Sequence, residues 1–288
     1  MNKFLAIIVI FIGFLPMMLM AQSAPDVFTH KFGAVEASML SEGQDAGNSS
    51  IFIGATPEMI QKSVPDGSYP RSCNAFLVRM NGKNILVDAA FGRKLFDNLK
   101  SLGVAPEQID VVLLTHLHGD HIGGMIRDGQ VAFPNAEVYM SKYEYDYWMS
   151  DAARNPNNAR NVLERYRKQL RLIFPDEIGA PPLVLFPGIS AIAAYGHTPG
   201  HTLYMFASGN DKLLVWGDLT HAMAIQMPFP QVAMTFDVNP EKAVETRKKV
   251  LEYVAENNII VGGIHTAFPG MGRLTKKPEG GYVHAPVK

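Results

Sequence analysis

Short stretches of this chain alternate between apolar and polar residues, separated by stretches with a helical period. From Val27 to Leu40 the alternation is loose and turns around Gly33, which predicts a hairpin. The run NAFLVRMNGKNILVDAA sets two strand-like segments on either side of Asn81-Gly82, a dipeptide suited to tight turns that need positive φ. Leu95, Phe96, Leu99 and Leu102 recur at helical spacing, and Gly103 supplies a stop. IDVVLLTH reads as a short buried strand ending at His116. Ser141 with Glu144 has the spacing of a capping box, opening a helix through Trp148. Asn161 to Ile173 predicts a basic amphipathic helix, with Arg165, Arg167, Lys168 and Arg171 on a solvated face. Ser41 to Tyr69 is rich in Gly, Ser, Pro and Asp, and predicts a long loop with little regular structure.

The second half repeats this logic. GISAIAAYGH predicts a strand ending at His197, and TLYMFASGNDKLLVWGD a hairpin ending at Asp218. Asn239-Pro240 caps a long helix through Asn257, and NIIVGGIH is a last strand ending at His265. Strands, helix, strands and helix predict two β-rich halves faced by helices, with no linker between them. Four apolar runs thus end at His116, His197, Asp218 and His265. Strand ends gathered at one sheet edge bring distant residues together on rigid supports.

The chain has 288 residues, 47% of them hydrophobic and 18% charged, which is ample for a large core. A formal net charge of −1 argues against nucleic acid as the main partner, because phosphate binding needs a basic surface. The opening MNKFLAIIVIFIGFLPMMLMAQSAPD has Lys3, an apolar run from Phe4 to Met20, and then the small residues Ala21, Ser23 and Ala24. It predicts a signal peptide over 1–23, a single mature domain over 24–288, and a periplasmic or secreted protein with no stable membrane insertion after cleavage. A retained anchor is the competing expectation. Cys73 is the lone cysteine, so neither an internal disulfide nor a cysteine-rich zinc site is available, and it is read as a passive thiol.

THLHGDHIGG concentrates the candidate chemistry. In an extended segment alternate residues point the same way, so His116 and His118 can face one cation together. Asp120 and His121 follow as the chain turns at Gly119 and Gly123-Gly124, and can face a second. Imidazole and carboxylate suit zinc and its neighbours, but one short loop cannot fill two coordination shells.

HxHxDH at His116 to His121, followed by GHTPGHT, WGD and GGIH, resembles the metallo-β-lactamase superfamily over nearly the whole mature chain. The resemblance implies an α/β fold, the αββα four-layer sandwich, with two divalent metal ions, zinc the first choice. It assigns His116, His118 and His197 to one metal, Asp120, His121 and His265 to the other, and Asp218 to a bridge between them. A metal-bridging hydroxide would attack the substrate, with Asp120 passing its proton to the leaving group. The bridging aspartate looks like the lactonase, glyoxalase II and phosphotriesterase branches. AFPNAEVYMSKYEYDYW, PGISAIAAYGHTPGHT and HTAFPGMGRL are similar to the secreted methyl parathion hydrolase-like group. That similarity implies a small-molecule substrate, no nucleic acid, cleavage of small esters, lactones or phosphotriesters, and leaves a homodimer open. Acyl-homoserine lactone opening and β-lactam hydrolysis are the alternatives, with a periplasmic metal- or ligand-binding protein as the non-enzymatic one. Such lactonases place a tyrosine shortly after the bridging aspartate, where this chain has Leu219-Thr220-His221, and His221 is read either as an oxyanion donor or as packing beside the site. Phe91, Trp148 and Phe268 are the candidate pocket residues. His201 is read as structural support, and His30 and His284 as surface residues.

Overall fold

The computed structural model describes residues 26–288. The proposed signal segment falls outside the described residues, among which no helix is long and apolar enough to cross a membrane. Among the described residues fourteen strands form two seven-stranded sheets, each ordered as its strands follow in sequence, and four two-residue strands form two small pairs in the connections. The first comprises β1 (Val27–Phe32), β2 (Val35–Asn48), β3 (Ser68–Met80), β4 (Lys83–Val87), β5 (Val111–Leu113), β6 (Glu137–Ser141) and β7 (Leu170–Ile173). The second comprises β8 (Leu183–Phe186), β9 (Ile189–Ala193), β10 (Thr202–Ser208), β11 (Asp211–Val215), β12 (Ile260–Gly262), β13 (Met271–Lys276) and β14 (Tyr282–Pro286). The first sheet is antiparallel from β1 to β4 and parallel from β4 to β7. In the second only β11 and β12 run parallel.

Side-chain alternation explains the layers. Phe76, Val78, Ile85, Val87, Val111 and Leu113 point into one core with Tyr204, Phe206, Leu213 and Val215 of the other sheet. Their neighbours Leu77, Leu86 and Val112 point outward, under helices α2 (Leu95–Ser101), α4 (Lys142–Met149) and α5 (Asn157–Arg165). On the opposite face Leu203, Met205 and Leu214 pack against Val250, Leu251 and Val254 of α7 (Pro240–Glu256). This is the αββα sandwich. The smaller helices α1 (Pro57–Ser63), α3 (Gly119–Ile122) and α6 (Met223–Gln226) lie in the connections.

Local chemistry sets the boundaries. Asn81 and Gly82 both take positive φ, 54° and 71°, and join β3 to β4. Asn239 caps α7 by accepting from the Lys242 amide at 3.0 Å, with Pro240 opening the helix. Two expectations fail. Ser41 to Tyr69 is not mainly loop: β2 continues to Asn48 and pairs with β3 from Ser68, across a register shift between Ser41 and Gln44. This two-stranded arm carries polar residues because little of it covers a core, so it lacks the alternation of the buried strands. The basic helix stops at Arg165, and Leu170–Ile173 is an edge strand. There Gln169 turns its side-chain amide to the carbonyls of Phe133 and Ala136, at 3.0 and 2.7 Å, and Arg171 pairs with Glu137.

The candidate residues do not sit on the strands themselves but on the loops just beyond their ends: His116 after β5, His197 after β9, Asp218 after β11 and His265 after β12. Crossing hydrogen bonds weld these loops together. Thr202 N donates to Thr115 O at 2.9 Å, Ala89 N to His121 O at 2.7 Å and Val238 N to His197 O at 2.9 Å. Gly196, at φ +132°, has no room for a Cβ, which would fall 2.2 Å from the Ala243 amide nitrogen on α7. Between the sheets the Tyr204 hydroxyl donates to Leu114 O at 2.9 Å, next to the histidine loop. Tyr204→Phe strands that carbonyl in a dry core, and should lower unfolding free energy by about 1–2 kcal/mol in urea denaturation.

Candidate metal centre

Three imidazole nitrogens converge at one point. His116 Nε2 lies 2.9 Å from His118 Nδ1, and His197 Nε2 lies 3.1 and 3.0 Å from the same two atoms. Asp218 closes this group with Oδ2, 3.2 Å from His197 Nε2 and 3.6 Å from His116 Nε2. Its other oxygen, Oδ1, faces His121 Nε2 at 3.0 Å and His265 Nε2 at 3.3 Å. Asp120 approaches the second group, with Oδ2 3.5 Å from His265 Nε2 and Oδ1 4.0 Å from His121 Nε2. Both sets could hold a metal, and Asp218 offers one oxygen to each.

The outward-facing ring nitrogens fix which atoms point inward. His121 Nδ1 meets Asp88 Oδ2 at 2.8 Å, His197 Nδ1 meets Asp237 Oδ1 at 2.8 Å, and His265 Nδ1 meets Ser72 O at 2.8 Å. A proton on each of these nitrogens leaves a bare lone pair on each Nε2. His121 Nε2 and Asp218 Oδ1 are fully buried and make no hydrogen bond. Two lone pairs facing one another in a buried site require a positive charge between or on them. Burial pushes the His121 pKa down, but Asp218 and Asp88 outweigh it and lift it well above the usual histidine range. A divalent cation supplies the same charge without the proton, so the donor set fits two such ions.

Three buried carboxylates outside these two groups hold them in place. Asp88 accepts from Thr115 N at 2.8 Å and Thr115 Oγ1 at 2.7 Å besides orienting His121. Asp237 accepts from Met234 N at 2.9 Å besides orienting His197. Glu144 receives Leu117 N at 3.0 Å, Gly200 N at 3.0 Å, Trp148 Nε1 at 2.6 Å and Thr198 Oγ1 at 2.6 Å. It therefore ties the His116–His118 segment to the loop that carries His197. Burial raises its pKa even against those four donors. The expected capping box is half right: Ser141 caps α4 by accepting from Tyr143 N, while the Glu144 side chain turns into the protein. Sequence spacing revealed none of the three carboxylates, because each acts on residues far along the chain. Asp88 alone carried a signal, as an acidic residue directly after an apolar strand.

His201 is a support. Its Nε2 accepts from Asp218 N at 3.0 Å and its Nδ1 donates to Ala194 O at 3.0 Å, while burial, with His197 nearby, pushes its pKa down to about 3. Arg247, buried on α7, donates to Leu219 O at 2.7 Å and to Val232 O at 2.8 Å, bracing the chain after Asp218. His221 lies in the site: Nε2 is 2.9 Å from Asp218 Oδ2, and its ring stacks on His265 and meets Phe236. Gln226 Oε1 anchors it by accepting from its backbone amide at 2.7 Å.

A cavity of about 520 Å³ opens above these groups, with His118, Asp120, Asp218, His221 and His265 in its lining. Phe91, 43% exposed, forms part of its wall. Trp148 does not: it is buried, bonded to Glu144, and packs edge-on against His118 from behind. Phe268 also stands elsewhere, half-buried against the edge of the inter-sheet core and edge-on to Phe28. The apolar lining that sequence reasoning missed is Phe236, Ile51 and Tyr69. Cys73 lines the cavity too, its thiol on Asp120 O at 3.4 Å and its pKa pushed far up by burial and by Asp120, in keeping with a passive thiol. His30 and His284 are half-buried and line neither this cavity nor the donor groups.

The sequence profile described as the metallo-beta-lactamase superfamily matches residues 68–262. The chain belongs to the metallo-β-lactamase superfamily. Among solved metallo-β-lactamase folds it is similar to hydrolase AbOPH, at 26% identity and TM-score 0.81, covering 93% of this chain and 99% of that one. It is also similar to AidC, a dizinc quorum-quenching lactonase in complex with the product N-hexanoyl-L-homoserine, at 25% identity and TM-score 0.81 over 91% and 97% of the two chains. The uncharacterized protein YobT of Bacillus subtilis is 26% identical over 188 residues, 60% of this chain and 75% of its own length. Some further curated relatives, ribonuclease Z of Clostridium kluyveri among them, are matched over only about a fifth of their own length.

Glu144→Gln keeps the shape but turns an amide NH₂ toward obligate donors. It should cost about 2–3 kcal/mol of stability by denaturation, and weaken zinc binding about 10- to 100-fold in competition with a chromogenic chelator.

Proposed function

We propose that this metallo-β-lactamase superfamily hydrolase carries two zinc ions and cleaves small carboxyl esters and lactones. The observation that carries the reading is the Asp218 carboxylate, offering Oδ2 to one imidazole group and Oδ1 to the other at the floor of an open cavity. Two divalent cations held there would lower the pKa of coordinated water to about 7 and polarise the substrate's carbonyl oxygen.

The chain's own residues supply the rest. His116, His118 and His197 with one Asp218 oxygen would hold one cation, and Asp120, His121 and His265 with the other oxygen would hold a second. Asp88 and Asp237 hold His121 and His197 in the tautomer that presents Nε2 inward. Asp120 lines the cavity beside His265, with Oδ2 3.5 Å from Nε2, where its carboxylate would take a proton and pass it to the departing alcohol. His221 steadies Asp218 from the cavity side. Phe236, Phe91 and Ile51 give the acyl chain an apolar wall.

The likeness to the dizinc lactonase AidC supports ester and lactone carbonyls as the electrophile, and aryl phosphotriesters belong in the same panel because of the methyl parathion hydrolase-like stretches. Zinc titration of the apoprotein should saturate at about two equivalents per chain, with lactone and aryl ester hydrolysis abolished by chelation and restored by metal. Asp120→Asn should lower kcat by about 10²- to 10⁴-fold. Undiminished hydrolysis by metal-free protein would defeat the reading, and nitrocefin turnover matching that of an aryl ester would favour a β-lactam hydrolase.

We also propose export, on Lys3 and the apolar run from Phe4 to Met20. N-terminal sequencing of protein from the periplasmic fraction of a bacterial host should begin near Ala24, and an intact Met1 would contradict cleavage.

A further inference from the structure

The cavity wall holds two arginines and two carboxylates that are not in the donor groups, and their pairing is uneven. Arg71 is satisfied by Asp45, with Nε to Oδ1 at 2.8 Å and Nη2 to Oδ2 at 2.6 Å. Glu42 is spent on the start of α2, accepting from the amides of Phe91, Lys94 and Leu95 at 3.1, 3.1 and 3.3 Å. Arg93 has no ion-pair or side-chain hydrogen-bond partner among the described residues. Its guanidinium lies over the Phe91 ring, 4.5 Å from the centroid, which holds its plane while leaving its N–H edge open. Arg93 lines this cavity together with Asp120, Asp218 and His221, and also borders an adjoining cavity of about 310 Å³, so it is reachable from two sides.

We propose that Arg93 binds a carboxylate on the substrate, so that the preferred substrate is an anionic ester or lactone: an acyl chain ending in a carboxylate. An open guanidinium edge matches a carboxylate with two parallel hydrogen bonds. One positive charge balances a monoanion, whereas a dianionic phosphate would bring excess negative charge beside Glu42 and Asp45 in the same wall. The scissile carbonyl then sits over the donor groups, the chain crosses Phe91 or Phe236, and the far carboxylate reaches Arg93.

This inference rests on the hydrolase reading above, and its test separates the two. The zinc-loaded protein would be assayed with the mono-para-nitrophenyl ester of adipic acid and with para-nitrophenyl hexanoate, its neutral counterpart. The wild type should favour the anionic ester by about 10- to 100-fold in kcat/KM, mostly through KM. Arg93→Met should lose that preference while neutral-ester hydrolysis stays within about twofold, and Arg93→Lys should retain part of it. Equal loss on both esters, or no anionic preference in the wild type, would overturn the assignment even if hydrolysis is metal-dependent. The non-hydrolysed anilide, N-(para-nitrophenyl)adipamate, gives a second readout by calorimetry: binding should weaken about tenfold or more in Arg93→Met. If neither ester turns over, the ester half of the hydrolase reading fails, and the anilide titration still decides for or against Arg93.

Discussion

Everything at the centre of this molecule depends on holding lone pairs against one another. His116, His118 and His197 present nitrogens within about 3 Å of each other, and His121 Nε2 faces Asp218 Oδ1 at 3.0 Å. Such an arrangement is unfavourable for buried groups unless a cation completes it. The surrounding structure is accordingly over-determined. Asp88, Asp237 and Glu144 receive donors from loops far apart in sequence, so a shift of one loop would disturb several buried carboxylates at once. Preorganisation of this kind gives a metal centre its affinity and its geometry.

The fold makes that clamping possible. Parallel pairing of β4, β5 and β6, and of β11 with β12, brings the loops after these strands to one edge of the sandwich. The extended β2–β3 arm then rises beside that edge, and its register shift near Glu42 and Gly43 turns polar residues toward the cavity. The same segment therefore closes the wall, caps α2 through Glu42 and leaves Arg93 open.

How far the sequence could be read follows from the range of each interaction. His116, His197, Asp218 and His265 stand out because each closes an apolar run, which shows in one dimension, whereas the division of the donors between two groups comes from the family resemblance. The strands around Asn81-Gly82 and the capped helix at Asn239-Pro240 were legible for the same reason, as their determinants are local. Glu144 was misread because Ser141-x-x-Glu144 has the same local form whether the glutamate folds back on its helix or turns into the core. Trp148 and Phe268 were placed in the cavity although their faces belong to cores, and Phe236 and Tyr69 were missed, since which way an aromatic ring points depends on tertiary packing. The β2–β3 arm looks like loop in the sequence because its pairing is satisfied by backbone while its polar side chains show little alternation.

The most direct test is anomalous diffraction at the zinc absorption edge from crystals of the zinc-loaded protein. Two peaks per chain are predicted, one among His116, His118 and His197 and one among Asp120, His121 and His265, with Asp218 touching both. A single peak, or zinc bound away from Asp218, would contradict a dinuclear centre built on that bridge.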